Sequence, residues 1–154
     1  MGKTGVDELE RRKMTYIELT HQSMPTEEYR TLLGTAICTF SSNNGFVIEN
    51  LLRSDDSLSW YELTDKTSGK LAEVIEEAIP GEDGGRIAEK FKTLVEQRNR
   101  IIHGFRCTSP DGEQILATKE QETHRQFYIT EEYLKDFIRE NDELSTMLHK
   151  YRGY

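Results

Sequence analysis

The chain has 154 residues, of which 35% are hydrophobic and 31% are charged, and its formal net charge is −8 at pH 7. A single domain is the simplest organisation at this length, and roughly two-thirds of the unfolded chain's surface can be buried. The acidic balance argues against a protein that coats nucleic acid without specificity. The chain has two cysteines, no apolar run long enough to cross a bilayer and no signal-peptide pattern. These features predict a cytoplasmic protein with reduced thiols.

The N-terminal part of the chain carries weak signals followed by a clear helix start. Residues 1–13 are polar and charged, and we expect a flexible segment there, ahead of a single domain over 14–154. Residues 14–23 fit either a short helix or a short strand. Thr26, followed by two glutamates, is typical of a helix start, because its hydroxyl caps the first turn and carboxylates favour the positive end of the helix.

The apolar residues after this start recur at helical spacing to about residue 53. They are Tyr29, Leu32, Leu33, Ala36, Ile37, Phe40, Val47, Ile48, Leu51 and Leu52. The polar run 41–45 interrupts the pattern without changing its phase, since Val47 lies seven residues after Phe40. We therefore predict one long helix that is weak in its middle, with a helix-loop-helix as the alternative.

The middle of the chain alternates between breaks and helical patterns. Residues 54–66 are predicted to form a polar loop. Thr67 or Ser68 then caps a helix whose apolar residues extend to about Ile79. The glycine-containing stretch 80–85 is predicted to end that helix through Pro80-Gly81 and Gly84-Gly85.

The next predicted helix spans about Arg86 to His103, and Gly104 stops it. After Gly104 the periodicity changes from helical to alternating. Three strands are predicted, at 105–108, 114–118 and 126–129. A last helix opens with a threonine and two glutamates at 130–132. These elements predict a mainly α fold, an up-and-down helical bundle with a small antiparallel β insertion at about 105–129, between the penultimate and the C-terminal helix.

The end of the penultimate helix carries the residues with the most chemistry. Its apolar stripe, at about 100° of rotation per residue, consists of Phe91, Leu94, Val95, Ile101, Ile102 and Phe105. Arg98 lies near the middle of this stripe, and a guanidinium facing a core or an interface needs a carboxylate, a phosphate or a partner chain. Asn99 and His103 are four residues apart and therefore share one flank of the helix.

The local charge around this segment is opposite to that of the whole chain. Between Arg86 and Arg106 there are six basic and two acidic residues, a balance of +4. The pattern indicates either a focused anion site or a helix that pairs with an acidic neighbour. If it is an anion site, Arg100, Arg106 and Lys92 are the candidates for binding RNA phosphates.

An arginine, a polar residue, three further residues and a histidine, near the end of a helix in a small bundle, resemble the motif of the HEPN superfamily. The matching residues are Arg98, Asn99 and His103, followed by Gly104. The resemblance implies a HEPN-like fold. Many members are metal-independent endoribonucleases of toxin–antitoxin, CRISPR-linked and phage-defence systems, whereas others are non-catalytic binding or scaffold domains. The predicted strands depart from the simplest all-helical form of the family.

For a nuclease, the resemblance implies cleavage of RNA to a 2′,3′-cyclic phosphate without metal or other cofactor, and an antitoxin or another partner protein. One histidine does not readily act as both acid and base in one step, so we predict a homodimer with the Arg98/His103 site at its interface. His103 suits proton transfer because imidazole ordinarily titrates near pH ~6.5. Arg98 suits charge stabilisation, and Asn99 would orient the imidazole or hold a phosphate oxygen.

Three alternatives remain open. The first is a non-catalytic HEPN-like module that binds a partner or a nucleotide, and the second is a helical structural protein without that ancestry. In the third, Arg98 pairs internally with Glu49 or another acid of the first long helix, and His103 interacts with the terminal carbonyls of its own helix.

Overall fold

Helices form most of the structure, a computed structural model that describes residues 14–153. In chain order its elements are α1 (Tyr16–Leu19), α2 (Glu27–Ser54), α3 (Trp60–Asp65), α4 (Ser68–Ala78), α5 (Gly81–Ile102), β1 (Phe105–Thr108), β2 (Gln114–Lys119), β3 (Gln126–Ile129) and α6 (Glu131–Arg152). The predicted mainly helical fold with a small antiparallel sheet is confirmed over this range. The flexible segment predicted at 1–13 lies outside the described residues.

The long helices meet around a cluster of aromatic side chains. The Phe40 ring of α2 stacks on Phe91 of α5 at a centroid distance of 6.0 Å and on Phe137 of α6 at 6.2 Å. All three side chains are buried.

Of the helices in the described range, none combines the length and the apolar composition that crossing a bilayer requires.

Helix α2 runs unbroken through its polar middle, which confirms the single long helix and not the helix-loop-helix. The Asn43 amide nitrogen donates to the backbone carbonyl of Asn141 on α6 at 2.8 Å and to its side-chain oxygen at 3.1 Å. Asn44 accepts a hydrogen bond from the Ser68 hydroxyl on α4 at 2.8 Å. These contacts with neighbouring helices offset the low helix propensity of asparagine.

Two predictions about the middle of the chain are wrong. The polar loop expected at 54–66 contains helix α3, because Leu63 is fully buried and anchors this segment. Helix α5 begins at Gly81 and not near Arg86, so Gly84 lies inside a helix and does not end one. A Cβ at Gly84 would collide with the carbonyl oxygen of Ile79, and glycine there lets α5 start directly against the end of α4.

The three strands form an antiparallel sheet in the order β1-β2-β3, close to the predicted positions. The sheet begins immediately after α5. A Cβ at Gly104 would lie 3.0 Å from the Ile101 carbonyl oxygen and 3.3 Å from that of Ala117. Gly104 thus allows the end of α5 to approach the central strand closely, which places the motif residues beside the sheet.

Candidate functional site

Arg98 is held in a defined position on α5, between two neutral neighbours. Its Cζ lies 4.8 Å from the centroid of the Phe40 ring on α2, a cation–π contact. Its Nε donates to Oδ1 of Asn99 at 3.0 Å. The side chain is half-buried, and this burial lowers the pKa of the Arg98 guanidinium from its ordinary value. Arginine nevertheless stays protonated in proteins, so a fixed positive charge lies on this flank of α5.

No carboxylate within residues 14–153 forms an ion pair with Arg98. The pairing with Glu49 considered above is not found, because Glu49 accepts from Arg152 on α6 at 2.6 Å. The described part of the chain therefore leaves the Arg98 charge without a balancing acid, as a site for an external anion requires.

Arg98 and Ile102, one turn apart on α5, border an open groove of about 220 Å³. We call it the Arg98 groove, and its other walls are Ile37, Phe40, Ser41, Asn44 and Ser68. Ser68 is the first residue of α4, so the positive end of that helix lies at the groove. The volume is several times the ~30 Å³ that one water molecule occupies in the liquid, which is room for a phosphate-sized group.

His103 caps the C-terminal end of α5, where its backbone N–H donates to the Asn99 carbonyl at 3.0 Å. Its side chain is exposed, and the described residues provide no hydrogen-bond partner for the imidazole. It lies five positions after Arg98, which corresponds to about 140° around the helix. Asn99 is about 40° from His103 by the same geometry. Asn99 thus lies between a cation and an imidazole that face different directions around α5.

The predicted apolar stripe of α5 is buried only in part. Phe91, Leu94, Val95 and Ile101 belong to the core. Ile102 is 53% exposed, and Phe105 lies in β1 and is 44% exposed. The C-terminal end of the stripe therefore presents apolar surface to the outside beside the motif.

Two of the three predicted phosphate-binding residues brace α5 against other elements. The Arg100 side chain is 14% exposed, and its guanidinium donates to the backbone carbonyl of Lys119 at 2.5 Å. This bond fastens the end of α5 to β2. Lys92 forms an ion pair with Glu76 on α4 at 3.0 Å.

The third, Arg106, donates to the backbone carbonyl of Ser23 and to the side chain of Gln114. It thereby ties the segment before α2 to the sheet. Lys92, Arg100 and Arg106 all lie outside the Arg98 groove. The structure therefore does not place the three predicted phosphate-binding residues around Arg98. Each of them remains a candidate contact for a bound RNA chain.

The Arg98 groove includes residues that the sequence did not assign to a site. Phe40 has the spacing of a core residue, and no feature of the sequence indicates that an arginine covers it. Asn44 and Ser68 are 24 positions apart and meet only through the packing of α2 against α4. In the sequence, Asn43 and Asn44 occupy positions where the helical periodicity of α2 calls for apolar residues. They were the available signal for a polar contact in this groove.

A larger cleft of about 480 Å³ lies at the opposite end of the sheet, between the starts of α2 and α6 and the β1–β2 turn. Its walls include Glu28, Asp111, Glu113 and Glu131. None of the motif residues borders it. Among residues 14–153, no three histidine, cysteine or acidic side chains are grouped so that they would hold a metal ion.

Comparison of the chain with protein-family models, curated proteins and solved structures finds no match.

Proposed function

We propose that this protein is a HEPN-like, metal-independent endoribonuclease whose site contains Arg98, Asn99 and His103. The observation that carries the proposal is the state of Arg98. Its guanidinium is half-buried, fixed over the Phe40 ring and bonded to Asn99, and it lacks an acidic partner among residues 14–153. A cation held in this way is available for a phosphate from outside the subunit.

The proposed chemistry needs only the side chains of the motif. The ribose 2′-hydroxyl loses a proton and attacks the adjacent phosphorus, the bond to the 5′-oxygen breaks, and that oxygen takes up a proton. The products carry a 2′,3′-cyclic phosphate and a 5′-hydroxyl. Arg98 stabilises the extra negative charge on the phosphoryl oxygens. His103 transfers a proton, and Asn99 holds Arg98 in place through its side-chain oxygen.

A second subunit is part of the proposal. Because Arg98 and His103 face directions about 140° apart on one helix, one subunit does not readily present both to the same phosphate. A twofold axis at the end of α5 would bring the imidazole of one copy to the guanidinium of the other. Ile102, 53% exposed beside Arg98, supplies apolar surface for such a contact. The homodimer thus also accounts for the exposed end of the apolar stripe.

The test compares wild type, His103→Ala and His21→Asn on structured and single-stranded RNA with a chelator present. We expect wild type to leave 2′,3′-cyclic phosphate ends and His103→Ala to be slower by about 100-fold or more, the usual contribution of a positioned acid or base. His21 is an exposed histidine outside the motif with φ 54°, a conformation that asparagine tolerates. The control variant should cleave like wild type. Equal activity of all three proteins, or inactive wild type, would contradict the proposal.

One observation favours a second candidate, a non-catalytic module that binds a nucleotide or a partner protein. The contacts of Arg98 with Phe40 and Asn99 fix it toward the Arg98 groove, on a different flank from His103. A groove with a cation and a helix N-terminus suits a phosphate that is bound and not cleaved. Nucleotide binding that Arg98→Ala abolishes, without RNA cleavage by wild type, would favour this candidate.

A further inference from the structure

The Arg98 groove has one charged side chain on its walls, and that side chain is the cation itself. No acidic side chain of residues 14–153 borders the groove. The positive end of α4 also lies there, and the first turn of α4 contains no acidic residue that would neutralise it. The groove therefore combines open space with a positive potential that the surrounding side chains do not balance.

Asn44 of α2 also borders this groove, and one hydrogen bond fixes the orientation of its side-chain amide. The Ser68 hydroxyl on α4 donates to Asn44 Oδ1 at 2.8 Å. The amide nitrogen, Nδ2, makes no hydrogen bond within residues 14–153. Because the amide oxygen already has a partner and the side chain is half-buried, Asn44 offers the groove a donor in a defined position.

The polar side chains of the groove thus offer mainly hydrogen-bond donors. On α5, Arg98 Nε donates to Asn99 Oδ1, and the two terminal nitrogens of the guanidinium make no hydrogen bond within the described residues. The exposed Ser41 hydroxyl on α2 provides a further donor. An ionised phosphate has only acceptor oxygens, and its hydrogen bonds with cationic donors are among the strong ones in proteins. The donor set of the groove therefore suits a phosphate.

The donors of Asn44 and Arg98 come from different helices, α2 and α5, that form separate walls of the groove. A phosphodiester has two non-bridging oxygens, so each oxygen can accept from one wall. Ile37 and Ile102 border the same space and provide apolar contact for ribose carbons. The volume of about 220 Å³ accommodates the phosphate group, and the open side of the groove leaves room for the nucleotides on either side of it.

We infer that Asn44 is a second phosphate-binding residue of the proposed site. Its Nδ2 donates to one non-bridging oxygen of an RNA phosphodiester, and the Arg98 guanidinium binds the other. The inference rests on the proposed function and extends its substrate contacts from the motif on α5 to α2. Ser68 contributes through Asn44, because its hydroxyl holds the amide oxygen and thereby sets which way the nitrogen points.

The experiment measures binding separately from cleavage. A short, fluorescently labelled oligouridylate with 2′-O-methyl groups cannot be cleaved through its 2′-oxygen, and its anisotropy reports affinity for the full chain. Asn44→Asp keeps the shape of the side chain and the acceptor for Ser68, but it replaces the donor with a carboxylate that repels phosphate and competes for Arg98. We expect it to weaken binding by about tenfold or more, as for loss of a hydrogen bond to a charged group.

The matched control is Gln121→Glu, the same change from amide to carboxylate at an exposed position outside the Arg98 groove. It alters the net charge of the chain equally and should bind like wild type. Asn44→Ala removes the donor without adding a charge, and we expect it to weaken binding by a smaller factor than Asn44→Asp. In wild type, the side-chain NH₂ resonance of Asn44 should shift when the RNA is added.

Circular dichroism verifies that each variant is folded. Unchanged binding in both folded Asn44 variants overturns the inference, even if RNA cleavage still depends on His103. An equal loss in Gln121→Glu overturns it too, because net charge alone would then explain the effect. Binding that requires a terminal phosphate on the RNA would assign the groove to a phosphate monoester and also overturn it. Binding that depends on Asn44, without cleavage by wild type, would support the inference and contradict the nuclease alone.

Discussion

Tyr29 joins the helical bundle to the sheet through a single hydroxyl group. The side chain is 2% exposed. Its Oη donates to the carbonyl of Ile129 on β3 at 2.6 Å and accepts from the N–H of Leu116 on β2 at 3.1 Å. This hydroxyl therefore satisfies two backbone groups at the end of the β2–β3 ladder, where the strands provide no further partner.

Tyr29→Phe should lower the free energy of unfolding by about 1–3 kcal/mol, because it leaves a buried donor and acceptor unpaired. Denaturant titration measures the change. The matched control is Tyr133→Phe, since the half-buried Tyr133 hydroxyl makes no hydrogen bond within residues 14–153, and we expect a smaller loss. Similar losses in both variants would show that the hydroxyl contacts of Tyr29 contribute little.

Burial raises the pKa of the Tyr29 hydroxyl from its ordinary value. The folded state therefore favours the protonated form, and the resulting stability is complete below the unfolded-state pKa of about 10. It is lost as the pH rises through the higher pKa of the folded state. Stability measured at increasing alkaline pH should fall less steeply in Tyr29→Phe than in wild type.

At the scale of elements, two adjacent glycines of α5 should respond in opposite ways to the same substitution. Gly84→Ala should lower the free energy of unfolding by about 1–3 kcal/mol, because the added methyl group collides with the Ile79 carbonyl. Gly85→Ala meets open space and should raise it by about 0.5–1 kcal/mol through better helix propensity. Thermal denaturation of both variants measures the two signs. Stabilisation by Gly84→Ala would contradict the close start of α5 against α4.

The sequence predicted the elements where periodicity and caps agree. Thr26, Thr67 and Thr130 each accept a hydrogen bond from the first turn of their helix, as expected from their positions. The predictions of a loop at 54–66 and of a helix start near Arg86 were wrong. The structural roles of Leu63 and Gly84 depend on contacts with other elements. A glycine that ends a helix and one that permits close packing inside it look alike in a single sequence.

At the scale of the whole molecule, the motif residues were visible in the sequence but their arrangement was not. Spacing along α5 places Arg98, Asn99 and His103 near one helix end, and the structure agrees with that position. In the structure, Arg98 covers Phe40 and borders α4. This arrangement depends on how three helices pack together, and no local sequence pattern encodes that packing.

The proposed function requires that two subunits share one RNA-cleaving site. Its most direct test mixes Arg98→Ala subunits with His103→Ala subunits and measures cleavage of a single-stranded RNA. If the guanidinium of one copy works with the imidazole of the other, each variant alone is inactive, and a mixed dimer contains one intact pair. Statistical exchange then restores about a quarter of the wild-type rate in a twofold dimer. No activity from a mixture in which mixed dimers are demonstrated would contradict the shared site.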